Sequence, residues 1–452
     1  MSDGGGEGAA KGAVLLRPLL VAAAILAVGV ATQLGAYLNH DVAFLAWVAR
    51  AVAGGAVYGR DILEVNFPLA FLIYLPAVPL GAVIGLSLAV KLWTAALAAL
   101  SLLLLAKALP AERRGPVLIA FALFVGFALP REFGQREQFA FILVAPWCVE
   151  ASRGRWHSIL VGALAGLGFA IKPHFLIPLA VLALYRRRLG REEAAIVGVG
   201  ALYALLLLVA FRPFLVEALP LARAAYGGIE YNGEGAVRAA IAGFFILALA
   251  VPVFGSRDRT AMAFLLAAAG FYAAAVLQMK LFPYHFLPGW GFAVLAAAAL
   301  LHSRPPAGRA LLAAAAAVLV IQALPWWRGS EGRERQIPRL VNVLDRGRSF
   351  TFVAKALAGE APRGDGVAEQ WAVRQAVAEL RRSPDTVVVD TDWSRHTGLK
   401  SRSFDALAWL RRDPEFDRLW QGYSEGAQVG PFRLFRLRAA ASPARPGCSP
   451  AG

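Results

Sequence analysis

Asp41 and Glu64 are carboxylates set between two strongly apolar stretches. Both lie within residues 40–68, HDVAFLAWVARAVAGGAVYGRDILEVNFP, which also hold Asp61. A carboxylate kept this close to lipid is costly and is usually there for function. It can take a proton from a sugar or lipid hydroxyl as a general base. The two together could instead hold a hard divalent cation. The plainer alternative is a pair of loop carboxylates, with Asp41 as an ordinary helix cap. Spacing alone does not choose among these.

Other polar groups interrupt the apolar sequence further on. Arg131-Glu132-Phe133-Gly134-Gln135-Arg136-Glu137 puts four charges between two apolar runs. It reads either as a solvated turn with internal ion pairs or as part of a site. In the second case Glu137 faces a cavity, with Arg136 as its partner or as a phosphate contact. Lys172-Pro173-His174 breaks an otherwise apolar stretch, and Gln278, Lys280, Tyr284 and His285 form a similar group. A lysine in such a place can snorkel to the membrane surface, and a lone histidine is more often structural. Cations grouped opposite carboxylates also suit a phosphate leaving group beside a general base.

The elements that must position these residues follow from composition. Of 452 residues, 58% are hydrophobic and 17% charged, and the mean hydropathy is +0.57. A soluble domain carries nearer a quarter charged residues. The apolar residues fall in runs of about 15–22, the length of a membrane-crossing helix. The chain therefore reads as an α-helical polytopic membrane protein. In a soluble protein the net charge of +16 would suggest nucleic acid. Here Lys and Arg sit in short clusters between apolar runs, as in cytoplasmic loops, with added attraction to anionic membrane lipids. No nucleic-acid partner is expected. Cys148 lies in an apolar run and Cys448 in the tail, and their spacing suggests neither a disulfide nor a metal site.

Residues 1–13 read as a disordered cytoplasmic leader. The first span covers 14–34 and delivers the loop 35–86 to the outside. Within that loop, 42–53 is an apolar helix along the membrane surface. Residues 67–85 are apolar but broken by Pro68, Pro76, Pro79, Gly81 and Gly85. If they crossed, the cluster of Lys107, Arg113 and Arg114 would fall outside. They are therefore read as re-entrant or interfacial, which broken backbone allows beside protein or a water-filled cavity. Spans follow at 87–107, 115–130, 139–151, 158–171, 174–185, 194–211, 236–254, 261–277, 284–301 and 310–325, about eleven in all. This membrane domain is expected over residues 14–327, with the basic clusters on one side and the isolated polar groups on the other. Residues 328–440 are expected to form a small α/β domain outside, with helices at 371–380 and 404–410 and strands at 386–389 and 431–437. Residues 441–452 read as a disordered tail.

The order of the motifs resembles the GT-C superfamily of polyprenyl-phosphate-dependent glycosyltransferases, which includes the protein O-mannosyltransferases and the lipid A aminoarabinose transferase. The resemblance rests on Asp41 directly after the first span and on Tyr58-Gly59-Arg60-Asp61-Ile62-Leu63-Glu64-Val65-Asn66-Phe67-Pro68. It continues with Gly134-Gln135-Arg136-Glu137, Lys172-Pro173 and the stretch from Gln278 to Pro288, covering most of residues 1–300. It implies a GT-C-like fold with Asp41 as the catalytic base. Glu64 then matches a second acid, associated with metal or acceptor binding in some members, and Glu137 the acid that opens a later span. A lipid-phosphate sugar donor, used on the outer face with inversion at the anomeric carbon, is implied as well. Where many members carry two adjacent acids, this chain has His40-Asp41.

The resulting expectation is a membrane glycosyltransferase in the inner (plasma) membrane. It would move a sugar from a polyprenyl-phosphate donor to a lipid, glycan or protein acceptor on the periplasmic face. Asp41, Glu64 and Glu137 would form the acidic machinery. Arg136, Lys172, His174, Gln278, Lys280, Tyr284 and His285 would hold the donor and its phosphate. Asp41 and Glu64 would be the ligands if a divalent metal ion takes part. The rivals are a lipid-linked sugar flippase without covalent chemistry and a polysaccharide polymerase or ligase with a diphosphate carrier.

Overall fold

The computed structural model describes residues 4–34, 36, 38–59, 62, 64–128, 130–149, 155–187, 190–220, 222, 233–278, 281–301, 367–383, 386–390, 406–429 and 432–438. The chain divides into two compact units, Met1–Leu219 with Tyr231–Gly329, and Pro220–Glu230 with Ser330–Gly452.

The first unit is built from α1 (Gly4–Gln33), α2 (His40–Ala53), α3 (Leu69–Leu72), α4 (Ala77–Ile84), α5 (Leu86–Ala108), α6 (Ala111–Phe127), α7 (Arg136–Cys148), α8 (Arg155–Ala170), α9 (Leu176–Arg186), α10 (Arg191–Val209), α11 (Gly233–Ser256), α12 (Arg259–Leu277) and α13 (Leu287–Leu300). Short 3-10 turns at Pro130–Glu132, Pro173–Phe175 and Pro283–Phe286 precede α7, α9 and α13, and a π-helical turn, Phe214–Ala218, follows α10. One boundary needs correction. Helix α1 begins at Gly4, inside the leader read as disordered. Glu7, Ala9, Ala10 and Lys11 are good helix formers and extend a helix that the apolar run behind them supports.

Among the described residues, five helical segments are long and apolar enough to cross a membrane: Leu16–Gln33, Leu86–Ala108, Arg191–Val209, Ala239–Ser256 and Arg259–Leu277. Helices α6, α7, α8, α9 and α13 stand at other expected spans and are shorter. The expected span at 310–325 lies outside the described residues. The proline-broken stretch 67–85 resolves into α3, of 4 residues, and α4, of 8. At ~1.5 Å per residue each of the two alone is far shorter than the ~30 Å of a hydrocarbon core.

Packing within this unit uses aromatic rings and close backbone approach. Phe141 of α7 meets Phe121 and Phe124 of α6 and Phe292 of α13, with ring centroids 5.1–5.4 Å apart. Phe292 stacks in turn on Phe271 of α12. Helix α1 buries Ala22, Leu26 and Val30, spaced every fourth residue along one face. It crosses α6 at Gly29 and Gly126, where a Cβ on Gly29 would stand 2.6 Å from the Gly126 Cα. Gly29→Val is therefore expected to overpack the crossing and cost about 1–3 kcal/mol. The check is the thermal midpoint of the detergent-purified protein, and an unchanged midpoint would mean the two backbones do not meet there.

The outward faces explain the high hydropathy. Val197, Leu202, Leu205, Leu208 and Val209 on α10 are exposed, as are Phe244, Phe245, Leu247, Val251 and Phe254 on α11. Water would not tolerate so much apolar surface, whereas lipid tails do. This unit is embedded in a membrane.

The second unit contains α14 (Val367–Arg381), β1 (Thr386–Asp390), α15 (Ala406–Leu410), α16 (Pro414–Trp420), β2 (Tyr423–Val429) and β3 (Phe432–Leu437). The strands form an antiparallel sheet in the order β1-β3-β2, with Val387 opposite Phe435 and Tyr423 opposite Leu437. Its core gathers Phe416, Trp420, Tyr423 and Phe435. Helices and strands stand at all four expected places, while α16 and β2 are additional. Strand β2 reads Tyr-Ser-Glu-Gly-Ala-Gln-Val and lacks an apolar alternation. Backbone pairing to β3 and the exposed Arg433–Glu425 ion pair hold it.

Candidate functional site

Chain direction places the ends of α1, α6, α8, α10 and α12 beside the starts of α2, α5, α7, α9 and α13. The contacts bear this out. Lys91 near the start of α5 donates to the carbonyls of Leu34 and Ala36, just past α1. Tyr74 donates to the Gly134 carbonyl before α7, at 2.7 Å. Tyr203 of α10 accepts from the Leu69 amide, at 3.1 Å. The arginine-rich turns meet at the opposite helix ends. There Arg113 at the start of α6 pairs with Asp258 before α12, at 2.7 Å. Arg186 at the end of α9 pairs with Glu192 of α10, at 2.6 Å, and donates to the Trp147 carbonyl.

At the first of these ends lies a buried charged cluster. Asp41, Glu64, Arg136 and Glu137 are 6% exposed or less, and buried charges of this kind persist only when partnered. Lys172, in the turn after α8, forms an ion pair with Glu137 at the start of α7. The Lys172 ammonium also donates to Gln278 Oε1 at the end of α12, at 3.0 Å, and stands 5.8 Å from the Tyr284 ring centre. Arg136 donates through Nη1 to Asn66 Oδ1 at 2.6 Å. The Asn66 backbone and side-chain amides both donate to Glu64 Oε1. Tyr58 donates to the Glu64 carbonyl. Asp41 lies within electrostatic reach of both Arg136 and Lys172. Arg136 Nε and Glu137 Oε2 are buried without a hydrogen-bond partner among the described residues.

Local sequence explains how these groups are held. Asn39 caps α2 by accepting from the Asp41 amide at 2.9 Å. Gln135 caps α7 by accepting from the Arg136 amide at 3.3 Å. Gly134 turns the chain with φ +83°, a left-handed conformation that suits glycine. Its amide donates to Gln138 Oε1 at 2.7 Å, and Gln138 donates on to the Val125 carbonyl of α6.

Electrostatics sharpen the roles. Burial pushes the Lys172 ammonium down to about 8, against the pull of Glu137. Burial also raises the Tyr58 phenol, and the neighbouring Glu64 charge adds to that. Tyr58 is thus a neutral hydrogen-bond donor at neutral pH.

Of the residues singled out in the sequence, Asp41, Glu64, Arg136, Glu137, Lys172, Gln278 and Tyr284 share this cluster. Glu64 reaches it through Asn66. His285 is buried with its ring 4.6 Å from that of Tyr284, packed in the turn before α13. His174 is half-buried in the turn that carries Lys172. Lys280 and Asp61 lie outside the described residues. Asn66 and Gln135 stood only as members of motifs, without a role of their own, and Asn39, Tyr74 and Gln138 were not singled out. The stretches Pro173-His174-Phe175-Leu176-Ile177-Pro178 and Pro283-Tyr284-His285-Phe286-Leu287-Pro288 are parallel in sequence. Both stretches form a 3-10 turn that opens a helix at the cluster.

Among the described residues no three His, Cys, Asp or Glu side chains gather as metal ligands. The Asp41 and Glu64 carboxylates would need a further ligand to hold a divalent ion, and Glu64 Oε1 already accepts from Asn66. The cluster sets the Arg136 guanidinium and the Lys172 ammonium beside the carboxylates of Asp41, Glu64 and Glu137.

Fold and surface define the class: a helical protein embedded in a membrane, with a buried charged site at one end of its helices. Compared with protein-family models, curated proteins and solved structures, the chain gives no match.

Proposed function

We propose that the chain is an integral-membrane glycosyltransferase of the GT-C type. It transfers a sugar from a polyprenyl-phosphate donor to a lipid, glycan or protein acceptor. The observation that carries this reading is the gathering of Arg136 and a largely buried Lys172 in one cluster with Asp41, Glu64 and Glu137, where Lys172 pairs with Glu137 and Arg136 donates to Asn66. In this reading Asp41 takes the proton from the acceptor hydroxyl. The acceptor oxygen then bonds to the anomeric carbon, and the bond from that carbon to the phosphate oxygen breaks with inversion. The electron pair leaves on the phosphate, where Arg136 and Lys172 stabilise the charge. Glu137 keeps Lys172 in place, and Glu64 anchors Arg136 through Asn66. The site end of the helices faces the periplasm of the inner membrane. The N-terminus and the arginine-rich turns face the cytoplasm, as the distribution of basic residues favours, and the second unit lies outside.

Two experiments bear on this directly. Mass spectrometry of glycolipids and surface polysaccharide should show a sugar missing from a deletion strain, and an unchanged profile would count against transfer. The second uses pH. Lys172 holds a phosphate only while protonated, so donor binding should be full below pH ~8 and weaken as pH rises through ~8. A donor KM that stays flat from pH 6.5 to 9.5 would remove Lys172 from phosphate binding.

A further inference from the structure

The helices that carry Asp41 and Arg136 are joined by a feature that the transfer chemistry does not itself require. Asn39, the cap of α2, donates from Nδ2 to Glu132 Oε2 at 3.1 Å. Gln135, the cap of α7, donates from Nε2 to that same oxygen at 3.3 Å. The Gln135 amide also donates to the Glu132 carbonyl at 2.9 Å. Each cap side chain has a second task, since its oxygen accepts the amide of the next functional residue, Asp41 or Arg136. One carboxylate oxygen therefore receives both caps. An unbroken hydrogen-bonded path runs from the Asp41 amide through Asn39, Glu132 and Gln135 to the Arg136 amide. It joins Asn39 to Glu132, 93 residues apart in the chain.

We propose that Glu132 and Asn39 are positioning residues that set the spacing between the base and the phosphate-holding guanidinium. The inference rests on the glycosyl-transfer reading and deepens it. Donation from two amides to an ionised carboxylate is stronger than a neutral hydrogen bond, so the bridge resists drift of one helix start relative to the other. Transfer needs base, acceptor and departing phosphate in line, and a misplacement of ~1 Å at such a centre can cost about 100-fold. Neither Glu132 nor Asn39 needs to touch the substrate for this.

The test compares Glu132→Ala, Glu132→Gln and Asn39→Ser in the full-length, detergent-purified protein with a labelled polyprenyl-phosphate sugar. Glu132→Ala should lower kcat by about 10- to 100-fold with the donor KM changed less than about threefold. Glu132→Gln keeps an oxygen that accepts from both caps and should recover to within about threefold of wild type. Serine is as good a helix cap as asparagine but lacks the Nδ2 donor. Asn39→Ser should therefore fold and melt like wild type yet lose kcat as Glu132→Ala does. It carries the test if Glu132→Ala fails to fold. An Asn39→Ser protein with wild-type kcat overturns the bridge and leaves the transfer reading standing. A wild-type protein that moves no sugar overturns that reading and the bridge with it.

Discussion

Asp41→Asn is expected to slow sugar transfer by about 10²- to 10⁴-fold, with membrane insertion and thermal midpoint close to wild type. The change keeps the side-chain shape and removes the ability to accept a proton. It leaves the start of α2 intact, because Asn39 caps the helix through the Asp41 backbone amide rather than its carboxylate. Loss of rate without loss of fold would thus report chemistry. The measurement is the initial rate of label transfer from a polyprenyl-phosphate sugar to acceptor. A folded Asp41→Asn protein working at the wild-type rate would take the base away from Asp41.

Arg136→Lys should lower kcat/KM for the donor by about 10²-fold, although it conserves charge. The guanidinium is a planar fork with several donors. One arm, Nη1, is committed to Asn66 at 2.6 Å, and the remaining nitrogens are the ones free to meet phosphate. A lysine ammonium is a single point on a flexible stem. It can hold Asn66 or reach the phosphate, and does both poorly. Loss of the Asn66 contact also loosens the loop that carries Glu64. The donor concentration series that gives kcat/KM decides the matter. Wild-type kinetics from Arg136→Lys would mean that one positive charge is all this position supplies.

Most of this architecture was legible because lipid imposes simple rules. Long apolar runs become helices, since backbone polar groups have no other partner in hydrocarbon. Prolines at 68, 76 and 79 with Gly85 foretold the broken stretch that became α3 and α4. The separation of arginine-rich turns from isolated polar residues foretold which helix ends meet, so Asp41, Arg136, Glu137, Lys172 and Gln278 stand out as one group in the sequence.

The residues that hold that group were harder to see. Asn39, Asn66, Gln135 and Gln138 are neutral and individually common, and their roles arise from partners far away in the chain, such as Asn66 with Arg136, 70 residues on. Glu137 was read among the catalytic acids, and its Oε1 pairs with Lys172. That pairing depends on how α7 meets the turn after α8, which no local pattern encodes. In the second unit, β2 escaped notice because an edge strand exposed to water carries no alternation of apolar residues.

The most direct measurement uses purified wild-type protein with a labelled polyprenyl-phosphate sugar and a membrane-lipid acceptor mixture, in detergent, without a second compartment. Sugar transfer gives a new labelled product whose mass gains one sugar, with unglycosylated polyprenyl phosphate released in equal amount. Donor that is bound but recovered intact under every acceptor tested would contradict it and would mark the protein as a carrier of lipid-linked sugars.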